Sequence, residues 1–227
     1  MIIALKVGGS VLCPTESPDM DFVMKLAKTL KGLSSEHRMI AVVGGGRLAR
    51  KMIADARKQG EDSNDVLHNL GIEASRKNAG VLIEALGDAA FSGIPRDEGG
   101  VRESFKSGKI IVLGGFRPGQ TTDAVTLQSA EAVGAELVII GTDVKGVYDR
   151  DPKKYSNAAF ISLISVSELK DMTETESVSP GTKTIIDPVA VGVIEKTGLK
   201  CIVLDIRDME NLENAVESRD FKGTVIQ

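Results

Sequence analysis

Cysteine and histidine are scarce in this chain: Cys13 and Cys201 are the two thiols, no C-x-x-C string occurs, and His37 and His68 stand apart. That scarcity argues against a disulfide framework or a zinc site and leaves both thiols to be read as packed side chains. Long apolar runs are also missing. Stretches such as "ELVIIG" fall far short of the roughly 20 residues a bilayer-spanning helix needs, and no signal-like segment precedes the first strand, so the expected location is the cytoplasm. A basic tail or basic amphipathic run is absent, and Lys+Arg 28 against Asp+Glu 32 gives a net charge of -4. Nucleic acid and membrane surfaces are therefore not expected partners, and an acidic substrate must be met by local positive groups. No G-x-x-x-x-G-K-[ST] string exists, which excludes a P-loop enzyme.

What is present is an alternation. Apolar strand-like runs at Ile2–Val7, Met39–Val43, Lys109–Leu113, Leu137–Ile140 and Cys201–Asp205 are mostly separated by stretches of helical period. Helices are expected near Asp21–Leu33, Leu48–Gln59, Asp65–Leu86, Asp123–Val133, Asp187–Thr197 and Met209–Ser218, most beginning beside Asp, Ser or Thr as caps require. The pattern predicts one α/β domain over all 227 residues, with a mainly parallel sheet covered by helices. "GDAAFSGIPRDEGG" reads as a loop rather than a linker. Tyr148–Thr184, where polar residues and prolines interrupt the pattern, reads as a lid or a hairpin over the sheet edge.

Candidate chemistry sits where strands end. "ALKVGGSVL" places Lys6 two residues before Gly8, Gly9 and Ser10, a turn whose amides and hydroxyl suit an anion. A tight strand-to-helix turn explains the same residues without a ligand. "VVGGGRLAR" carries Gly44, Gly45 and Gly46, then Arg47 and Arg50 in the first turns of a helix, groups able to hold phosphate oxygens. Gly44, Gly46 and Ala49 also satisfy the G-x-G-x-x-A dinucleotide fingerprint. The required second strand with an acidic end does not follow, because "SNDVLHNLGIEASRKNAGVLIEAL" reads as helix. A third loop, "VLGGFRPGQTTDAV", offers Gly114, Gly115, Gly119, Thr121 and Thr122 before Asp123; Thr122 or Asp123 also suits an ordinary N-cap, and for Asp123 taken alone that is the better reading. "GTDVKGVYDRDPKKY" adds Thr142, Tyr148 and Asp151, able to contact a base or ribose. In an open α/β sheet these carboxyl-end loops share one edge, which suggests two phosphorylated ligands facing each other.

Taken in order, "KVGGS", "VVGGGRLAR", "GGFRPGQTTDA" and "TDVKGVYDRDPK" resemble the amino acid kinase fold family, most closely its archaeal uridylate kinase branch, with similarity extending through "GTKTIIDPVAVGVIEKTG" to "GTVIQ". The resemblance implies a three-layer α/β/α sandwich and phosphoryl transfer from ATP to UMP with magnesium bound mainly through nucleotide phosphates. It also implies a homo-oligomer, a hexamer built as a trimer of dimers. The acceptor side is implied mainly in 1–135 and the ATP side in 136–227. Carried over, Gly9, Ser10, Gly46, Arg50, Thr142, Tyr148 and Asp151 match ATP contacts. Gly45 and the run Phe116, Arg117, Pro118, Gly119, Gln120, Thr121 and Thr122 match the UMP side. Lys6 matches a lysine beside the transferred phosphoryl group, and Asp123 a carboxylate that orients it. Two positions depart from the family. His68 stands where an acidic residue grips the UMP ribose, and Lys145 replaces a common aspartate.

Joining one anion to another is limited by charge repulsion rather than proton removal. The expected machinery is therefore amide-lined turns, Lys6, Arg50 and a nucleotide-borne magnesium. Rival readings on the same fold are kinases of isopentenyl phosphate or of carboxylates such as glutamate. Outside enzymes, the rival is a nucleotide- or oxyanion-binding protein without catalysis.

Overall fold

The computed structural model describes residues 1–177 and 186–227. Its strands are β1 (Ile2–Val7), β2 (Arg38–Val43), β3 (Ile111–Leu113), β4 (Leu137–Thr142), β5 (Val147–Tyr148), β6 (Phe160–Ile161), β7 (Leu163–Ile164), β8 (Lys200–Asp205) and β9 (Thr224–Ile226). Helices are α1 (Gly9–Leu12), α2 (Met20–Leu33), α3 (Gly46–Lys58), α4 (Asn64–Leu86), α5 (Glu98–Phe105), α6 (Thr122–Val133), α7 (Val166–Ser177), α8 (Pro188–Thr197) and α9 (Met209–Val216). Among the described residues a seven-stranded sheet runs β3-β2-β1-β4-β8-β9-β7. The first five in that order are mutually parallel, and only β9 runs antiparallel to its neighbour β8.

Alternation along β1 decides the layering. Ile3, Leu5 and Val7 join Phe22, Leu26 and Leu30 of α2, Leu82 and Leu86 of α4, and Leu212 of α9 in one core. Ala4 faces the other way, onto Leu127 of α6, Leu169 of α7 and Val191 and Ile194 of α8. A third cluster puts Ile40 and Val42 of β2 against Val101 and Phe105 of α5 and Val125 of α6. Both faces of the sheet are therefore covered, which is why its central strands read as continuous apolar runs. This is the three-layer sandwich expected above.

Several boundaries differ from those read in the sequence. The breaker-rich stretch holds the start of α5, because Asp97 caps it by accepting from Gly100 N–H at 2.7 Å. The short strands β7 and β9 carry too few residues for a visible period. The segment from Tyr148 begins as a hairpin, with Val147 opposite Ile161 and Tyr148 opposite Phe160, followed by β7 and α7. The last part of the expected lid, 178–184, lies outside the described residues.

Candidate active site

Parallel strands end on one edge, and the ends of β1, β2 and β4 open into a single cleft of ≈ 540 Å³. Two glycine turns form its floor by touching each other. A Cβ on Gly9 would lie 2.3 Å from Gly46 N, and one on Gly46, at φ +60°, would lie 2.1 Å from Gly9 O. No side chain fits either position, so these glycines are required by backbone contact before any ligand is considered. Gly8 N–H donates to Gly141 O and Gly44 N–H to Val7 O, both at 3.1 Å, tying the turns to neighbouring strand ends. Among the described residues the amides of Gly9, Ser10, Gly45 and Gly46 have no hydrogen-bond acceptor. Arg50, one turn into α3, donates Nη2 to Ser10 Oγ at 3.3 Å and lines the same cleft.

Period-2 alternation puts Lys6 on the same face as Ala4, where the first turn of α6 packs. Lys6 Nζ lies 2.9 Å from Asp123 Oδ1, with side chains 15% and 12% exposed, as an ion pair lacking the angular geometry of a hydrogen bond. Thr121 caps α6 by accepting from Ala124 N–H at 3.1 Å. Its hydroxyl donates to Asp187, which in turn caps α8 at Val189 and Ala190. The N-termini of α6 and α8 are thus joined through side chains.

The far wall comes from the loops after β4. Thr142, Tyr148, Arg150 and Asp151 line it, and Tyr148 meets Phe160 edge-on with ring centres 5.5 Å apart. Charge holds these loops. Lys153 pairs with Asp143, and Arg207 donates to Asp143 O at 3.1 Å and to Asp205 Oδ1 at 2.8 Å. Partial burial pushes the Asp143 and Asp205 carboxyls upward. Hydrogen bonds and charge from Lys153 and Arg207 outweigh it and hold both below the usual carboxylate range.

A sequence model described as the amino acid kinase family matches residues 1–205. The chain belongs to the amino acid kinase family. Its curated relatives include proteins named uridylate kinase from Methanoculleus marisnigri and Methanocaldococcus jannaschii. The first is 41% identical, covering 99% of this chain and 94% of the relative. The second is 38% identical over the full length of both. Among solved structures, uridylate kinase from Archaeoglobus fulgidus superposes with a TM-score of 0.87 at 35% identity, covering 100% of this chain and 99% of that one. UMP kinase from Ureaplasma parvum, at 20% identity and TM-score 0.77, shares the fold.

Within this amino acid kinase, the cleft gathers Lys6, Gly9, Ser10, Gly45, Gly46 and Arg50 from the first two turns. Thr121, Thr122 and Asp123 join them from α6, and Thr142, Tyr148 and Asp151 from the loops after β4. The cleft lining does not include His68, Phe116, Arg117, Pro118, Gly119 or Gln120. His68 is exposed on α4. Phe116 is 6% exposed and packs in the third core cluster. Arg117 pairs with Glu98 at 2.6 Å, Gln120 bonds to Gln128 at 3.0 Å, and Pro118 and Gly119 are exposed. Gly115 sits on the same sheet edge but against α4, where Ser75 Oγ accepts its N–H at 2.8 Å. A Cβ at Gly114 would lie 2.6 Å from that same Oγ.

Sequence reading missed three residues on one turn of α4. Ser75 holds Gly115, Arg76 donates Nη2 to Phe116 O at 3.1 Å, and Asn78 donates Nδ2 to Gly44 O at 2.9 Å and Gly45 O at 3.2 Å. Burial, followed by the charge of Arg96, lowers the Arg76 pKa. The only available signal was polar residues at helical positions facing an apolar sheet, which does not say what they hold.

Proposed function

We propose that this chain is an ATP-dependent UMP kinase, transferring the γ-phosphoryl group of ATP to UMP to give UDP for pyrimidine nucleotide synthesis. The full-length relatives named uridylate kinase support the acceptor. The single structural observation that carries the reading is the Lys6–Asp123 ion pair at 2.9 Å, set beside two glycine turns in which the amides of Gly9, Ser10, Gly45 and Gly46 have no acceptor among the described residues. A lysine held by a carboxylate and flanked by amides meets negative charge that spreads over a phosphoryl group in flight.

In this reading the amides of Gly9, Ser10 and Gly46 and the guanidinium of Arg50 hold the phosphates of ATP. Thr142, Tyr148 and Asp151 hold its ribose and base. Gly45, Thr121 and Thr122, with the run from Phe116 to Gln120, bound the acceptor side, which makes 1–135 mainly the acceptor half and 136–227 mainly the ATP half. The acceptor phosphate is already ionised, so no general base is required. Lys6 supplies charge to the transferred group, and Asp123 sets the lysine's direction. Among the described residues no three acidic, His or Cys side chains cluster closely enough to hold a metal. A magnesium ion carried mainly by the nucleotide phosphates would neutralise charge there.

The assembly we assign is a cytoplasmic homo-oligomer, a trimer of dimers. Helix α3 supports it, because none of its residues is fully buried although Leu48, Met52 and Ile53 lie along it. Analytical ultracentrifugation giving a monomer would remove that assignment. A second reading, a kinase of another small acceptor, draws on His68 at the usual acidic position. Coupled ADP release with UMP, CMP, isopentenyl phosphate and glutamate decides between them. UMP is expected to give the highest kcat/KM, and no ADP with any acceptor would leave a binding protein.

A further inference from the structure

Asn78 is 1% exposed, and its amide nitrogen is shared between the carbonyls of Gly44 and Gly45, while its Oδ1 is buried without a partner. A buried amide with an orphaned oxygen is unfavourable for stability, so packing alone does not account for it. Its geometry does something specific. Peptide carbonyls and amides point in opposite senses, so drawing two consecutive carbonyls toward α4 turns the amides of Gly45 and Gly46 away from α4. Those amides have no acceptor among the described residues. Left free to rotate, the carbonyls would present negative dipoles to an incoming phosphate.

We infer that Asn78 is a positioning residue, one that locks the Gly44-Gly45 turn with its amides toward the transferred phosphate. We infer that Ser75, on the same turn of α4, sets the neighbouring acceptor loop through Gly115. The two act on different loops, so their loss separates kinetically. This rests on the kinase reading above.

The test is steady-state kinetics and thermal unfolding of full-length Asn78→Ala, Asn78→Ser and Ser75→Ala. Asn78→Ala is expected to lower kcat by about 10²-fold, as loss of an oriented donor set does, with KM for both nucleotides within about threefold. Asn78→Ser, which keeps a donor, is expected to recover part of kcat. Ser75→Ala, milder in stability, is expected to raise KM for UMP several-fold and leave KM for ATP unchanged. Wild-type kcat in folded Asn78→Ala, or equal changes in both KM values for Ser75→Ala, overturns the inference. Should Asn78→Ala not fold, the Ser75→Ala and Asn78→Ser results carry the test. If the wild type itself makes no ADP with any acceptor, the kinase reading fails separately. Amide hydrogen exchange at Gly45 and Gly46 then decides without turnover, and exchange unchanged in the Asn78 variants refutes the positioning role.

Discussion

The two walls of the cleft are held by different physics. On one, the turns after β1 and β2 are locked by backbone against backbone, with Gly9 and Gly46 so close that neither admits a Cβ, and Asn78 of α4 ties down the carbonyls of Gly44 and Gly45. On the other, the loops after β4 and β8 are stapled by Lys153–Asp143 and Arg207–Asp205 pairs, with Lys153 57% and Arg207 58% exposed. Steric contact does not respond to salt or pH, whereas exposed ion pairs weaken with both and contribute only about 0–1 kcal/mol each. We therefore expect the glycine-turn wall to yield less than the wall assigned to base and ribose.

The largest expected effect breaks the glycine-turn wall. Gly9→Ala forces backbone atoms apart, and about 1–3 kcal/mol of destabilisation together with loss of more than about 10²-fold in kcat/KM is expected. Thermal unfolding and ADP release read both, and a near-native variant would show that the turn yields. Next is Lys6→Ala, expected to lower kcat about 10²-fold or more while calorimetry finds ATP and UMP affinities little changed. Combining it with Asp123→Asn should give far less than the product of the two separate losses, because the residues act as one unit.

Smaller effects sharpen the contrast. Lys153→Ala is expected to raise KM for ATP a few-fold at low salt, shrinking as ionic strength rises, with kcat unchanged; fluorescence titration of a labelled ATP analogue reports it. The same staples carry a pH signature. Carboxyls with folded pKa values held below their unfolded ones contribute stability above the unfolded value, and lose it as pH falls through the folded one. Asp143 and Asp205 should therefore stabilise their loops from neutral pH down to about pH 4 and lose this at more acidic pH, seen as faster amide exchange there than in the β1 and β2 turns. Smallest is Cys201, whose thiol burial pushes up to about 12. It should resist alkylation in the native protein and react once unfolded.

The parallel core was legible because strands buried on both faces are continuous apolar runs, and the helices between them carry recognisable caps such as Asp19, Ser63 and Asp187. The edge strand β7 and its neighbour β9 were not, since two or three residues establish no period. At the site, the cleft positions after β1, β2 and β4 could be read, because topology brings carboxyl ends together, whereas the loop after β3 turns to α4 instead. The roles of Ser75, Arg76 and Asn78 could not, because a polar residue inside a helical run reveals nothing about which distant carbonyl it will meet. Glycines told only part of their story. Gly9 and Gly46 open a cleft, whereas Gly114 and Gly115 admit a helix, and the letters are the same.

The claim that both walls serve one reaction is tested most directly by a bisubstrate ligand in which adenosine and uridine are joined through a pentaphosphate. Calorimetry should find one such molecule bound per chain, tighter than ATP or UMP alone, with saturating ATP and saturating UMP each displacing it. Displacement by only one nucleotide, or two molecules bound per chain, would mean that the strand ends do not form a single two-nucleotide cleft.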